Sequence, residues 1–357
     1  MTVAMSDARS LPRRIRAAIP ASFTLILALL LALTGLAARA CEIPADYLTG
    51  VRPSVDGAPT EVSLGFGVAD VLGVDDVNQQ LELDFFVRLT WIEPRLVNQI
   101  GCRFPISELW FPEIYILNSS RLTEKRRNAR NYVSVEDGGT MVYVNRYIGE
   151  ISSYHNLRRF PFDHQTFEIE ISIPQASTAE VQITPDYERT WLEDKLNIEG
   201  WDFHSIALET ENRFLPQIHR EVSVGLIRLE ADRNSEYYVY RILLLLIIVV
   251  AMSWVVFWVP AERYEFQIGI CATALLTAIA FNFSVASSLP PVGYLTVMDR
   301  LMIWAVLLIF LATAEALLTS QLVLRDREDL ALAIDRHARY LFPVLFFGGW
   351  LLTIAAL

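Results

Sequence analysis

Four long apolar segments close the chain, and they restrict its fold more than anything before them. The first, Ile242 to Val259, holds eighteen residues without a charge; the others run roughly Ile268 to Leu289, Leu301 to Leu324 and Leu341 to Leu357. At about 1.5 Å of rise per residue, such lengths suit helices that cross a hydrocarbon core. With 53% hydrophobic residues over 357 positions, the chain reads as part membrane protein. Glu315 is the only ionisable group inside these segments, and an acid at that depth should face protein or water. Arg263 lies between the first two segments, and Arg325, Arg327, Arg336 and Arg339 lie between the last two. That excess of arginine predicts that both short loops are cytoplasmic. The preceding region then lies outside, and an even number of spans returns the C-terminus to that side.

The N-terminus points the same way. Arg9, Arg13, Arg14 and Arg16 precede an apolar run from Phe23 to Leu36 and then Ala38-Arg39-Ala40, a pattern that predicts a secretory signal peptide cut before Cys41. A retained membrane anchor is the alternative. Without residues 1–40 the chain carries 25 basic against 40 acidic residues, a net charge of −15. So acidic a surface argues against nucleic acid as a partner and concentrates cations nearby. Cys41, Cys102 and Cys271 have no metal-ligand spacing, and Cys271 sits in an apolar run. Only Cys41 and Cys102 are placed to pair; export permits a disulfide, and the sequence leaves its existence open.

Between Thr60 and Arg233 the chain alternates in the manner of strands: 61-EVSLGFGVADVL, 81-LELDFFVRLTWI, 140-TMVYVNRYIGEI, 167-FEIEISI, 181-VQITP and 222-VSVGLIRLEA. Turn residues separate these runs, Asp137-Gly138-Gly139 marking a hairpin tip and 123-TEKRRNARN a charged loop. With no amphipathic helix of useful length, the pattern predicts an antiparallel, immunoglobulin-like β-sandwich. No GxSxG, HExxH or phosphate loop is present and the five histidines are scattered, so no enzyme and no cofactor is expected. Trp91 and Trp110 read as sandwich core.

The second apolar segment differs from its neighbours in carrying Thr273, Thr277, Asn282, Ser284, Ser287 and Ser288. At 100° per residue, Glu265, Gly269, Thr273, Leu276, Ala280, Phe283 and Ser287 fall within an arc of about 80°. On spacing alone, two readings stand: a helix packing its small and polar residues against neighbours, or a wet stripe facing an axis. One helix cannot enclose a conduit, so the second requires several copies. A ring of Glu265 would then attract cations, and rings of Leu276, Ala280 and Phe283 could close the path by dewetting.

Taken with 91-WIEPRL, 110-WFPEIYILN, 160-FPFD followed by Gln165, 233-RNSEYYVYR, 254-WVVFW and 289-LPPVGYLT, these features resemble the pentameric ligand-gated ion channels, the Cys-loop receptor superfamily, and specifically its bacterial members. Eukaryotic relatives close one loop with a disulfide; the corresponding positions here are Ser153 and Phe167. The likeness covers about residues 58–357. It implies a homopentamer around a central pore, with a signal peptide at 1–40, an extracellular ligand-binding sandwich at 41–240 and a four-helix transmembrane pore domain at 241–357. The second span would line the pore, with Glu265 setting selectivity for monovalent cations.

By the same resemblance, the turn Phe160, Pro161, Phe162 and Asp163 presses on the membrane domain. Asp76, Asp163 and Arg233 form a charged coupling cluster, and Pro290, Pro291 and Tyr294 receive the movement. Locally, Pro161 fixes its own φ and restricts Phe160, so such a turn transmits a push with little slack. The agonist would bind between subunits, with Trp110, Glu113 and Tyr115 from one face, Phe86 and Tyr143 from the other, and Phe214 or His219 from the hairpin 213-RFLPQIHRE. That aromatic cage is incomplete. A small amine, a carboxylate or protons remain open as the stimulus. The implied location is the bacterial inner membrane, with the N-terminal domain and C-terminus periplasmic; the competing reading is a membrane-anchored sensor that conducts nothing.

Overall fold

The computed structural model describes residues 41–54, 57–124, 131–287 and 289–355. The segment 1–40, expected from the sequence to be a signal peptide, and most of the charged loop 123–131 lie outside the described residues. Residues 44–357 form one compact unit. Cys102 is buried and disulfide-bonded, Cys41 is exposed and also disulfide-bonded, and Cys271 is buried and free.

Among the described residues, twelve strands make two sheets. The larger runs β10 (Trp191–Leu192), β1 (Thr60–Asp75), β2 (Gln80–Ile92), β7 (Thr140–Ser152), β6 (Tyr132–Val135) and β3 (Arg103–Pro105). Off this path, β5 (Ser119–Glu124) pairs with β7 and β9 (Val181–Pro185) with β1. The smaller sheet runs β11 (Trp201–Leu215), β12 (Arg220–Arg233), β8 (His164–Ser172) and β4 (Tyr115–Ile116). The six alternating runs coincide with β1, β2, β7, β8, β9 and β12. The Asp137-Gly138-Gly139 tip turns β6 into β7 with both glycines at positive φ, 69° and 77°, a conformation that favours glycine.

Alternation sets which face each strand buries. On β8, Phe167, Ile169 and Ile171 are fully buried, while Glu168 and Glu170 point out and meet Arg228 and Arg213 at 3.0 and 2.7 Å. β1 and β2 oppose them with Val62, Leu64, Phe66, Leu83, Phe85 and Val87, all fully buried. Leu64 reaches across the sandwich to Gly225 of β12, where a Cβ would collide with it.

Among the described residues, four helices follow that are long and apolar enough to span a membrane: α1 (Glu236–Trp258), α2 (Ala261–Ala286), α3 (Val297–Val323) and α4 (Glu328–Ala355). α1 includes a π-helical turn at Val239–Leu243. One short turn, Ala261–Arg263, opens α2 before regular helix from Tyr264. α3 begins at a capping box, in which the Thr296 hydroxyl accepts from Asp299 N–H and the Asp299 carboxylate accepts from Thr296 N–H. Ala274, Ala278, Ala305, Ala312 and Ala316 are buried between helices, where small side chains let backbones approach. α4 starts thirteen residues before the apolar run from Leu341 that marks it in the sequence, because its first three turns are polar helix. Glu315 lines a pocket of about 330 Å³ with Leu330, Ala333, Ile334 and His337 of α4, so it faces protein.

Candidate functional site

The strongest concentration of buried charge lies where sandwich and helices meet. Arg233, the last residue of β12, uses its whole guanidinium: Nη1 and Nη2 donate to Asp76 at 2.7 and 2.9 Å, and Nε and Nη2 donate to Asp163 at 2.8 and 3.1 Å. Two carboxylates thus share one cation through two forks, which a lysine's point charge could not satisfy. The side chains of Arg233, Asp163 and Asp76 are 3%, 1% and 12% exposed. The guanidinium is also sandwiched by Trp201 at 4.1 Å and Phe160 at 5.0 Å, which exclude water from its faces. His155, fully buried, places Nδ1 3.2 Å from Asp76. Burial alone would raise the Asp76 carboxyl. The hydrogen bonds from His155 and Arg233, with the arginine charge, outweigh it and hold the group below its usual value. Burial would likewise lower Arg233, but the two carboxylates raise it still further.

The aromatic turn follows from these partners. Gln165 donates to Asp163 at 2.6 Å and to Asn156 O at 2.9 Å, while Asn156 N–H donates back to Gln165 at 3.0 Å. That pair ties the two arms of the loop together between Asn156 and Gln165. Phe160 is fully buried among membrane-domain side chains including Leu246, Val297 and Met298, with Tyr238 edge-on at 4.7 Å. Phe162 packs against the same cluster. Met298 N–H donates to Phe160 O at 3.2 Å, so the start of α3 is bonded to the turn. Tyr294 is part of this joint: its hydroxyl accepts from Leu157 N–H at 3.0 Å and its ring lies 4.6 Å from the Arg158 guanidinium. Pro290 and Pro291 precede it on the same loop without a hydrogen bond to the turn.

The α2 stripe has a distinct placement. Gln267, Cys271, Ala274, Ala278 and Val285 pack into the bundle. Glu265, Gly269, Thr273, Leu276, Ala280, Phe283 and Ser287 are all exposed on the other side. Leu276 and Phe283 are 69% and 72% exposed in the single chain, large apolar side chains left for a neighbour or a lumen to face. Gln267 positions the helix: its amide donates to Val256 O and Val259 O at 3.1 and 3.0 Å, satisfying carbonyls at the end of α1.

The residues expected at an agonist site divide. Tyr115 and Phe214 are exposed; Phe214 lies 6.3 Å from His219 on the β11–β12 hairpin. Glu113 accepts from Gln175 at 3.0 Å, joining the first loop to the second. Trp110 is half-buried, edge-on to Trp91 at 6.1 Å, with its N–H donating to the Tyr47 hydroxyl at 3.0 Å. That hydroxyl also donates to the fully buried Glu93, and Arg95 lies over the Tyr47 ring, so 91-WIEPRL and 110-W meet through Tyr47. Burial, partly offset by the Trp110 N–H bond, pushes the Tyr47 phenol up to about 12. Tyr143 is 3% exposed and edge-on to Phe111, inside the sandwich core and away from solvent.

Phe86 instead lines a pocket of about 240 Å³ with Gly65, Gly67, Arg88, Arg189 and Trp191. The Arg88 Nε is buried there without a hydrogen-bond partner. Gly65 and Gly67 are required, because a Cβ at either would overlap Arg189 or the Trp191 indole. Arg88 was legible beside Phe86, two residues along one strand face. Trp191 and Arg189 come from a distant segment with no local signal, as does Trp201 at the charged joint.

A two-sheet sandwich joined through a charged, aromatic turn to four membrane helices defines a ligand-gated ion channel subunit. A profile of the neurotransmitter-gated ion-channel ligand binding domain matches residues 41–226, and the chain belongs to the pentameric ligand-gated ion channels. It is 27% identical over 301 residues to a proton-gated ion channel of Gloeobacter violaceus, covering 82% of each chain. It is 23% identical over 296 residues to a gamma-aminobutyric acid receptor subunit beta of Lymnaea stagnalis, over 75% of this chain and 57% of that one. It is therefore a multi-pass membrane protein that assembles with copies of itself, and a channel instead of an enzyme.

Proposed function

We propose that five copies surround a cation-selective pore lined by the α2 stripe, in the inner membrane of a bacterium, with residues 41–240 periplasmic and 241–357 conducting. One observation carries this reading: all seven stripe residues are exposed, on the face of α2 opposite its packed one. Glu265 makes the inner acidic ring that selects monovalent cations, and Leu276, Ala280 and Phe283 make the closing constriction. The stimulus acts in the sandwich, and the turn Phe160–Asp163, held to β12 by Arg233 and to α3 through the Phe160 carbonyl, passes the movement on.

Two stimuli have support. Protons are suggested by the Gloeobacter relative. In that case Asp76 itself is not the sensor, because it is already held below the usual carboxylate range. A small carboxylate is suggested by the pocket at Phe86, where the unpartnered Arg88 Nε offers a donor to an anion. Flux through the purified chain in liposomes, scanned against pH and a panel of small carboxylates and amines, tests conduction and stimulus together. A salt gradient should give a cation reversal potential that Glu265→Ala reduces; an unchanged potential refutes the selectivity assignment, and no flux under any condition favours the non-conducting sensor.

A further inference from the structure

Among the described residues, a group of metal-ligating side chains lies on the exposed face of the smaller sheet, apart from the charged joint. His164 opens β8, His204 lies on β11 and Glu230 on β12, and one ligand atom from each falls within 4.8 Å of the others. β12 sits between the other two strands and pairs Asp232 with both His164 and Asp202. The β11–β12 register shifts between Phe203 and Ser205, so His204 is the extra residue of a bulge. A bulge re-aims a side chain, and here Phe203 points into the core while His204 turns outward.

The surrounding oxygens orient these ligands. His164 Nδ1 lies 3.0 Å from the Asp232 carboxylate, His204 Nδ1 lies 3.3 Å from Asp202 O, and the Ser205 hydroxyl donates to Glu230 at 2.8 Å. With Nδ1 of each ring facing an oxygen, Nε2 of each is left to coordinate; a carboxylate behind an imidazole is the usual support of a metal-bound histidine. The His204 Nε2 is 4.0 Å from the Glu230 carboxylate. Ligand atoms on a tetrahedral zinc lie about 3.3 Å apart, so closure needs movements of about 1 Å from these partly exposed side chains. Two imidazoles and a carboxylate suit zinc, nickel or copper, whereas calcium and magnesium take oxygen ligands.

We propose that His164, His204 and Glu230 bind a transition-metal ion of the zinc class, with water completing its coordination, and that the ion alters gating. The second half rests on the channel function proposed above. Its physical basis is adjacency: His164 follows Asp163 and Asp232 precedes Arg233, so an ion here ties together the strand ends that hold the charged joint.

The test is titration of the purified full-length chain in detergent with zinc chloride, by calorimetry and by thermal melting. One ion per subunit is expected, with a rise in Tm because the folded state alone presents the ligands. His164→Ala and His204→Ala should each weaken binding at least about tenfold, and Asp232→Asn less. Zinc affinity unchanged in the His164→Ala/His204→Ala double variant overturns the site. In liposomes, zinc should change wild-type flux and leave the double variant unaffected. Binding through these residues with no change in flux overturns the gating half and leaves the site standing. A wild type that conducts nothing overturns the channel reading and the gating half with it, while the titration still decides the site.

Discussion

Replacing Arg233 by glutamine removes the cation that Asp76 and Asp163 share in the joint. Four charge-assisted hydrogen bonds are lost, but their gross strength is not the expected cost, since all three groups left water to form them. The relevant quantity is the burden of two carboxylates held within one dry joint without a counter-ion, about 3–5 kcal/mol for a broken buried pair. For a chain of this size that corresponds to a fall in Tm on the order of 10 °C. Arg233→Lys should recover part of it, because an ammonium cannot fork to both acids. Asp76→Asn should cost less than Arg233→Gln, since Asp163 still pairs with the arginine and Asp76 is the more exposed acid. The assay is thermal unfolding of the detergent-solubilised protein, run as a double-mutant cycle on Arg233 and Asp76 with flux recorded in parallel. Strong coupling is expected, the double variant melting above the sum of the two losses. A shift of less than about 2 °C for Arg233→Gln, or additive losses in the cycle, would refute the view that the cluster holds sandwich and helices together.

Other consequences follow from the same geometry. Asp76 has a folded-state value below its unfolded one, so its contribution is fully present above about pH 4 and is lost as pH falls through the folded value; Asp76→Asn should flatten the acid limb of a Tm-against-pH curve below that point and leave neutral pH behaviour sloped as before. Tyr47 is shifted the other way, so the stability it confers is intact below its ordinary value of 10.0 and declines as pH rises toward about 12; Tyr47→Phe should remove a late-titrating phenol from the ultraviolet absorbance curve. In a Cys271→Ser background, cysteines at Thr273, Leu276 and Ala280 should react with aqueous thiol reagents while one at Ala278 should not, and the reverse pattern would end the pore assignment. Gln267→Leu strands two carbonyls at the end of α1 and should cost about 1–3 kcal/mol, read as a lower Tm. Gly67→Val would displace Trp191 and collapse the pocket at Phe86, so it should abolish any carboxylate response while leaving a proton response in place.

Much of the architecture could be read along the chain because its causes are periodic. Strands of period two must bury Phe167, Ile169 and Ile171 together, and apolar runs of membrane length must become helices, whatever their neighbours are. The α2 stripe was legible for the same reason: the helical repeat alone places Glu265, Gly269, Thr273, Leu276, Ala280, Phe283 and Ser287 on one side. The polar start of α4 escaped, since Glu328 to Tyr340 carries helix without the apolar content that marks a span. β11 escaped for a related reason: its long outward-facing polar stretch, Glu209 to Glu211, hides the alternation.

Tertiary structure alone decided which distant groups meet. Trp201 stacks on Arg233, Tyr47 joins Glu93 to Trp110, Trp191 covers Gly67 and closes a pocket over Arg88, and a one-residue bulge turns His204 toward His164 and Glu230. None of these follows from spacing, because each depends on the register between strands far apart in sequence and on close approach across them. Tyr143 shows the limit in the other direction. Its strand was evident, but which of two sheet faces it joined was settled by the packing of Phe111 against it. Local periodicity is written in residue order; proximity between segments is a product of how the sheets and helices finally pack.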